Sequence, residues 1–180
     1  PSKLWKPVFA AMPCLRAIRT NKSRRLRVFK KDDRHYFHQL GIGRKWEKYL
    51  AHPPILSEHG QWLYPLHRAV PMGFTAAASW AQRCTDACTQ RAQLPECSRV
   101  IASCPVPSDL PLWGYSLDDV WTVEEEPVRE APVNSLVGHS WMEVLGNVWD
   151  DVGIATNVKK DVHGETCTEV QGAMIDGVNH

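Results

Sequence analysis

Three carboxylates sit where they could do chemistry together. Asp118 and Asp119 stand side by side between two runs of β-formers, Trp113-Gly114-Tyr115-Ser116-Leu117 before them and Val120-Trp121-Thr122-Val123 after. That pattern predicts a hairpin whose turn carries both acids. An Asp pair in a turn is ordinarily just a solvated turn, because Asp tolerates turn geometry and bonds its own backbone. A third acid in a similar setting, Asp32, lies just beyond the alternating run Leu26-Arg27-Val28-Phe29, which reads as a strand. Carboxylates brought from separate strands can hold two divalent ions about 4 Å apart, the arrangement that phosphoryl transfer uses.

The elements that would have to position these acids follow from the pattern. Tyr36 to Ile42 predicts a short turn or helix closing at Gly41, and Tyr49–Ile55 and Gln61–Val70 predict a β region around the turn Ser57-Glu58-His59-Gly60. Pro71-Met72-Gly73-Phe74 breaks it, and Ala76 to Arg91 predicts a helix capped by Thr75, with Ala77, Ala81, Cys84 and Cys88 on one face. Residues 92–112 hold four Pro and two Cys and read as an irregular insertion. After the Asp hairpin, Glu124 to Pro132 reads as an acidic linker. Ser135 to Val152 is the clearest helix, with Val137, Trp141, Val144, Leu145, Val148 and Val152 at helical spacing and Gly153 as its stop. Ile154–Val158 and Thr166–Ile175 read as short strands. The order predicts an α+β fold, an antiparallel sheet with helices packed on one face.

At 180 residues, 43% apolar and 23% charged, the chain is an ordinary globular sequence, with no apolar run near the ~20 residues of a membrane span. Its net charge of +1 conceals a division: residues 1–48 carry 14 Lys and Arg against 3 acids, and residues 49–180 carry 7 against 17. The basic stretch Lys22-Ser23-Arg24-Arg25-Leu26-Arg27, with Lys30 beyond it, is either a solvated face or a phosphate-binding surface. Six irregularly spaced Cys without a signal peptide point to a reduced, intracellular protein. Cys84, Cys88, Cys97 and Cys104 match no standard zinc spacing, and core thiols account for the first two better. The absence of an initial Met and the stop at His180 predict an excised piece of a longer protein.

Read in order, these blocks resemble the palm of reverse transcriptases of the retrotransposon and retrovirus type. Asp32-Asp33-Arg34-His35-Tyr36-Phe37 resembles the first palm motif, an Asp followed five residues later by an aromatic. Tyr64 to Phe74 is similar to the strand that runs into Leu-Pro-Gln/Met-Gly-aromatic. Tyr115-Ser116-Leu117-Asp118-Asp119-Val120 resembles the aromatic-x-Asp-Asp hairpin. Gly153 to Lys160 is similar to the next motif, and Glu169-Val170-Gln171-Gly172 to the last, with the likeness covering residues 26–177.

The resemblance implies an RNA-directed DNA polymerase palm over residues 26–177, with residues 1–25 as a basic segment of partial fingers and the remaining fingers and thumb in the parent chain. It implies Asp32, Asp118 and Asp119 as ligands of two Mg²⁺ ions (Mn²⁺ the alternative). Phe37 would be a steric gate selecting deoxynucleoside triphosphates, although a plain core role also suits it. Asp33, Met72, Gly73 and Phe74 would line the nucleotide and template, and Lys160 would protonate the leaving pyrophosphate. Arg24, Arg25, Arg27 and Lys30 would contact the template-primer. The Asp doublet leaves the register open by one: Asp32 puts Phe37 at the gate, whereas Asp33 would put His38 there. Two other expectations stay open beside it. One is a catalytically inactive palm remnant acting as a nucleic-acid-binding or structural module. The other is a different two-metal enzyme, a nuclease or an RNA polymerase.

Overall fold

The strands and helices, in chain order, are β1 (Arg24–Asp32), α1 (Tyr36–Gln39), α2 (Arg44–Glu47), β2 (Ile55–Leu56), β3 (Trp62–Leu63) and α3 (Ala77–Arg91). They continue with β4 (Leu112–Ser116), β5 (Asp119–Pro127), α4 (Val137–Val152), β6 (Val162–Glu165), β7 (Cys167–Val170) and β8 (Ala173–Asp176). The computed structural model describes residues 15, 18, 20, 23–74, 76–102, 104–128 and 132–178. Most of the basic segment expected over residues 1–25, and the helix cap expected at Thr75, lie outside the described residues.

The central sheet is antiparallel, in the order β4-β5-β1-β6. β1 pairs with β5 along its whole length, from Arg24 opposite Pro127 to Asp32 opposite Asp119. Side chains alternate across a strand, so β1 serves two cores. Phe29 packs with Trp113, Tyr115, Val120, Met142, Leu145 and Trp149, between the sheet and helices α3 and α4. Val28 packs with Leu112, Trp121, Val123, Val100 and Val170 on the other face, where the β7–β8 hairpin covers part of the sheet. The mixed α/β architecture with antiparallel sheets agrees with the expected α+β class.

α4 ends where its glycine predicts, with Gly153 left-handed at φ 78°. Its buried side is rotated from the expected one: Gly138, Met142, Leu145, Val148 and Trp149 face inward, while Val137, Val144 and Val152 are exposed. Gly138 makes this seating possible, since a Cβ there would stand 2.7 Å from Thr122 Oγ1 and 3.1 Å from the Phe29 ring. The Gly138 N–H donates to Glu124 Oε2 at 2.6 Å, so a strand carboxylate caps the helix start.

Three expectations about connections are corrected. Glu124 to Pro127 is the second half of β5 rather than a linker, because its acids pair with the arginines of β1: Arg24 Nε lies 2.8 Å from Glu125, and Arg25 and Arg27 Nε each lie 2.5 Å from the fully buried Glu126. The region 49–70 holds only the two-residue strands β2 and β3, plus single bridges at Ala51–Leu66 and Gly41–Ala69. The expected strand at Ile154–Val158 reduces to one bridge, Thr156 with Asp33. The edge of the sheet is instead β6, which no pattern announced. Among the described residues, no helix is long and apolar enough to cross a membrane.

Candidate functional site

The antiparallel register brings the acids together. Asp32, the last residue of β1, lies opposite Asp119, the first of β5, with Asp118 in the adjoining turn. Alternation from Val28 and Trp121 puts Asp32 and Asp119 on the sheet face away from the helices. The backbone is pinned on both sides of Asp32: the Asp33 N–H donates to the Asp118 carbonyl at 3.3 Å, and the Asn157 N–H donates to the Asp32 carbonyl at 2.8 Å. Lys160 Nζ stands 3.4 Å from Asp32 Oδ2, and Lys30 Nζ 3.4 Å from Asp119 Oδ1. Asp161 adds a fourth acid: its Oδ1 accepts from the Asp32 N–H at 3.4 Å, and its Oδ2 lies 3.4 Å from Lys31 Nζ.

Crowded acids resist ionisation. Burial, then a hydrogen bond that the protonated Asp119 gives to Asp32, pushes Asp119 up to about 6, and burial also raises Asp118. Asp33 points the other way, toward α3. It is buried, neither carboxylate oxygen has a hydrogen-bond partner, and burial followed by the charge of Asp118 pushes it up to about 8. Of the doublet, Asp32 is thus the member that shares a face with Asp119.

The turn is held by polar side chains that pattern reading did not single out. Leu117 is left-handed at φ 55°, a conformation that costs a non-glycine residue about 1–3 kcal/mol and persists only under external constraint. Its N–H is accepted by Gln82 Oε1 at 3.2 Å, and its carbonyl accepts from the Thr85 hydroxyl. From the other side, the amide end of Gln171 in the β7–β8 turn lies 3.0 Å from the Ser116 N and 3.3 Å from Trp121 Nε1, and with its oxygen assigned to that side it accepts from both. One signal was available: Gln82 and Thr85 are buried on a helix whose other inward residues are mostly Ala and Cys, and a buried polar group needs a partner.

The other expected residues are distributed as follows. Phe37 lies in α1, partly buried beside Tyr36, with ring centroids 6.3 Å apart. Met72 and Gly73 are exposed on the connection into α3, Gly73 at φ 88°, and Phe74 packs on Trp80 at 5.3 Å. Arg24, Arg25 and Arg27 are engaged by the glutamates of β5, and Lys30 by Asp119. Cys84, Cys88, Cys97 and Cys104 are free thiols.

The carboxylate oxygens are hard donors of the kind divalent ions prefer, and the proton affinities of Asp118 and Asp119 are raised first by burial and then by neighbouring carboxylates. Among the described residues, no three His, Cys, Asp or Glu side chains are gathered into a ready metal cage. No protein-family model matches the chain, and no curated protein matches it.

Proposed function

We propose that this chain is a reverse-transcriptase-like palm that carries out template-directed DNA synthesis. The observation that supports the reading above all others is the register of β1 on β5, which sets Asp32 against Asp119 with Asp118 in the turn. Asp32, Asp118 and Asp119 hold the divalent ions, most simply Mg²⁺, which supply charge neutralisation for the triphosphate and activation of the primer 3′-hydroxyl. Lys160, beside Asp32 and largely exposed, stands ready to give a proton to the departing pyrophosphate. Phe37 packs beneath the sugar and excludes a 2′-hydroxyl. Met72, Gly73 and Phe74 face the nascent base pair, where a glycine admits close backbone approach.

A second reading, an inactive palm that binds nucleic acid, is favoured by one observation: Lys30 and Lys160 already counter Asp119 and Asp32. Primer extension on an RNA template with Mg²⁺ and dNTPs, beside an Asp118→Asn protein, separates the two. The polymerase reading expects extension that is lost in the variant and is much weaker with rNTPs. Intact template-primer binding without extension, unchanged by Asp118→Asn, would overturn it in favour of the inactive module.

A further inference from the structure

We propose that Gln82, Thr85 and Tyr36 are positioning residues for the carboxylate hairpin, a buried polar relay that holds the Leu117 turn and sets where Asp118 and Asp119 lie. The function it serves rests on the polymerase reading; the mechanical role does not.

Each hydroxyl has one proton to give. Thr85 Oγ1 donates to the Leu117 carbonyl, with the Ala81 carbonyl also in its reach at 3.3 Å, and Tyr36 Oη donates to the Ala81 carbonyl at 2.9 Å and touches Thr85 Oγ1 at 2.8 Å, a contact in which either oxygen can be the donor. The contacts therefore link Tyr36, Thr85 and Leu117, and Gln82 takes the Leu117 N–H beside them at 3.2 Å. Both backbone groups of the strained residue are thereby committed to one helix. Gln82, Thr85 and Tyr36 are at most 2% exposed, so water cannot substitute for them. The relay also has a reach that a local turn lacks. It begins on α1, one residue before Phe37, passes through α3, and ends at the residue before Asp118. Helix packing and carboxylate placement are thus tied through three side chains, and a shift of α1 against α3 would be felt at the turn.

The test is amide hydrogen exchange on the full chain, with Thr85→Val, which keeps the branched shape and removes the hydroxyl, and Thr85→Ser, which keeps the hydroxyl. Exchange at residues 117–119 should quicken roughly tenfold in Thr85→Val, the scale of one lost hydrogen bond, and return in Thr85→Ser, while α4 is unaffected. Mn²⁺ binding should weaken in parallel. In primer extension kcat should fall, with the KM for dNTP little changed. Unchanged exchange at 117–119, or acceleration spread equally over α3 and α4, would overturn the proposal. A parent protein that shows no extension at all sinks the polymerase reading instead and leaves the exchange result to decide this one. If Thr85→Val does not fold, Tyr36→Phe removes only the outer oxygen and faces the same measurement, with smaller acceleration expected and none overturning the relay.

Discussion

Asp32 and Asp33 differ by one position along the chain and by a whole face of the sheet, and their chemistry differs accordingly. Both are buried, but Asp32 meets Lys160 and Asp119 on the face away from the helices, whereas Asp33 has both oxygens unpartnered. Asp33 and Asp119, raised to about 8 and about 6, bind protons more tightly folded than unfolded. The stability they contribute is therefore full below the ordinary carboxylate value near 4 and is lost as pH rises through 6 and then 8. Thermal melts in metal-free buffer should show Tm falling over that range. Asp33→Asn, which stays neutral, should flatten the upper part and melt above the parent at pH 8.5; each 1 kcal/mol gained appears as roughly 2–4 °C at this chain length. A variant that melts below the parent at that pH would mean Asp33 is ionised and stabilising.

α4 shows both what the pattern of a helix discloses and what it hides. Its existence, its length and its stop at Gly153 follow from apolar spacing and one glycine. Which side it buries does not, because that depends on Gly138 meeting Thr122 across the sheet. Gly138→Ala should lower stability by about 1–3 kcal/mol in chemical denaturation, despite better helix propensity, because overpacking against a buried strand outweighs the ~1 kcal/mol of propensity gained. A stabilised variant would mean the helix can shift outward at little cost. The Asp hairpin was legible for the opposite reason, being a local turn between local strands. β6 was not, because Val162-His163-Gly164-Glu165 has no alternation of its own and becomes a strand only by pairing with β1. Glu124 to Glu126 reads as a linker until the arginines nearly 100 residues earlier are placed opposite it. The site divides in the same way: its acids show in the sequence, while the Gln82 and Thr85 contacts exist only once α3 lies against the turn.

At the scale of the molecule, the division into a basic first quarter and an acidic remainder is partly spent inside the fold. β1 and β5 close with arginine against glutamate, and Glu126 receives two guanidinium groups with no exposure of its own. Removing that charge should take from both arginines the carboxylate they share, so Glu126→Gln should cost about 3–5 kcal/mol in denaturant unfolding. Asp151→Asn, which breaks an exposed pair with Arg91, should cost no more than about 1 kcal/mol. Equal effects would show that burial does not govern these pairs. The last turn of the described chain adds one further consequence. Leu26 donates its N–H to the Gly177 carbonyl at 3.1 Å, and a Cβ on Gly177 would stand only 2.5 Å from the Leu26 carbonyl oxygen. Chain positions 151 residues apart are thus neighbours in space. A gene rewired to join Val178 to Ser23 through a short linker, which keeps β1 whole, and opened instead in the exposed turn at Glu58-His59, should still encode the same sheet: the order in which this polypeptide is threaded is separable from the shape it takes.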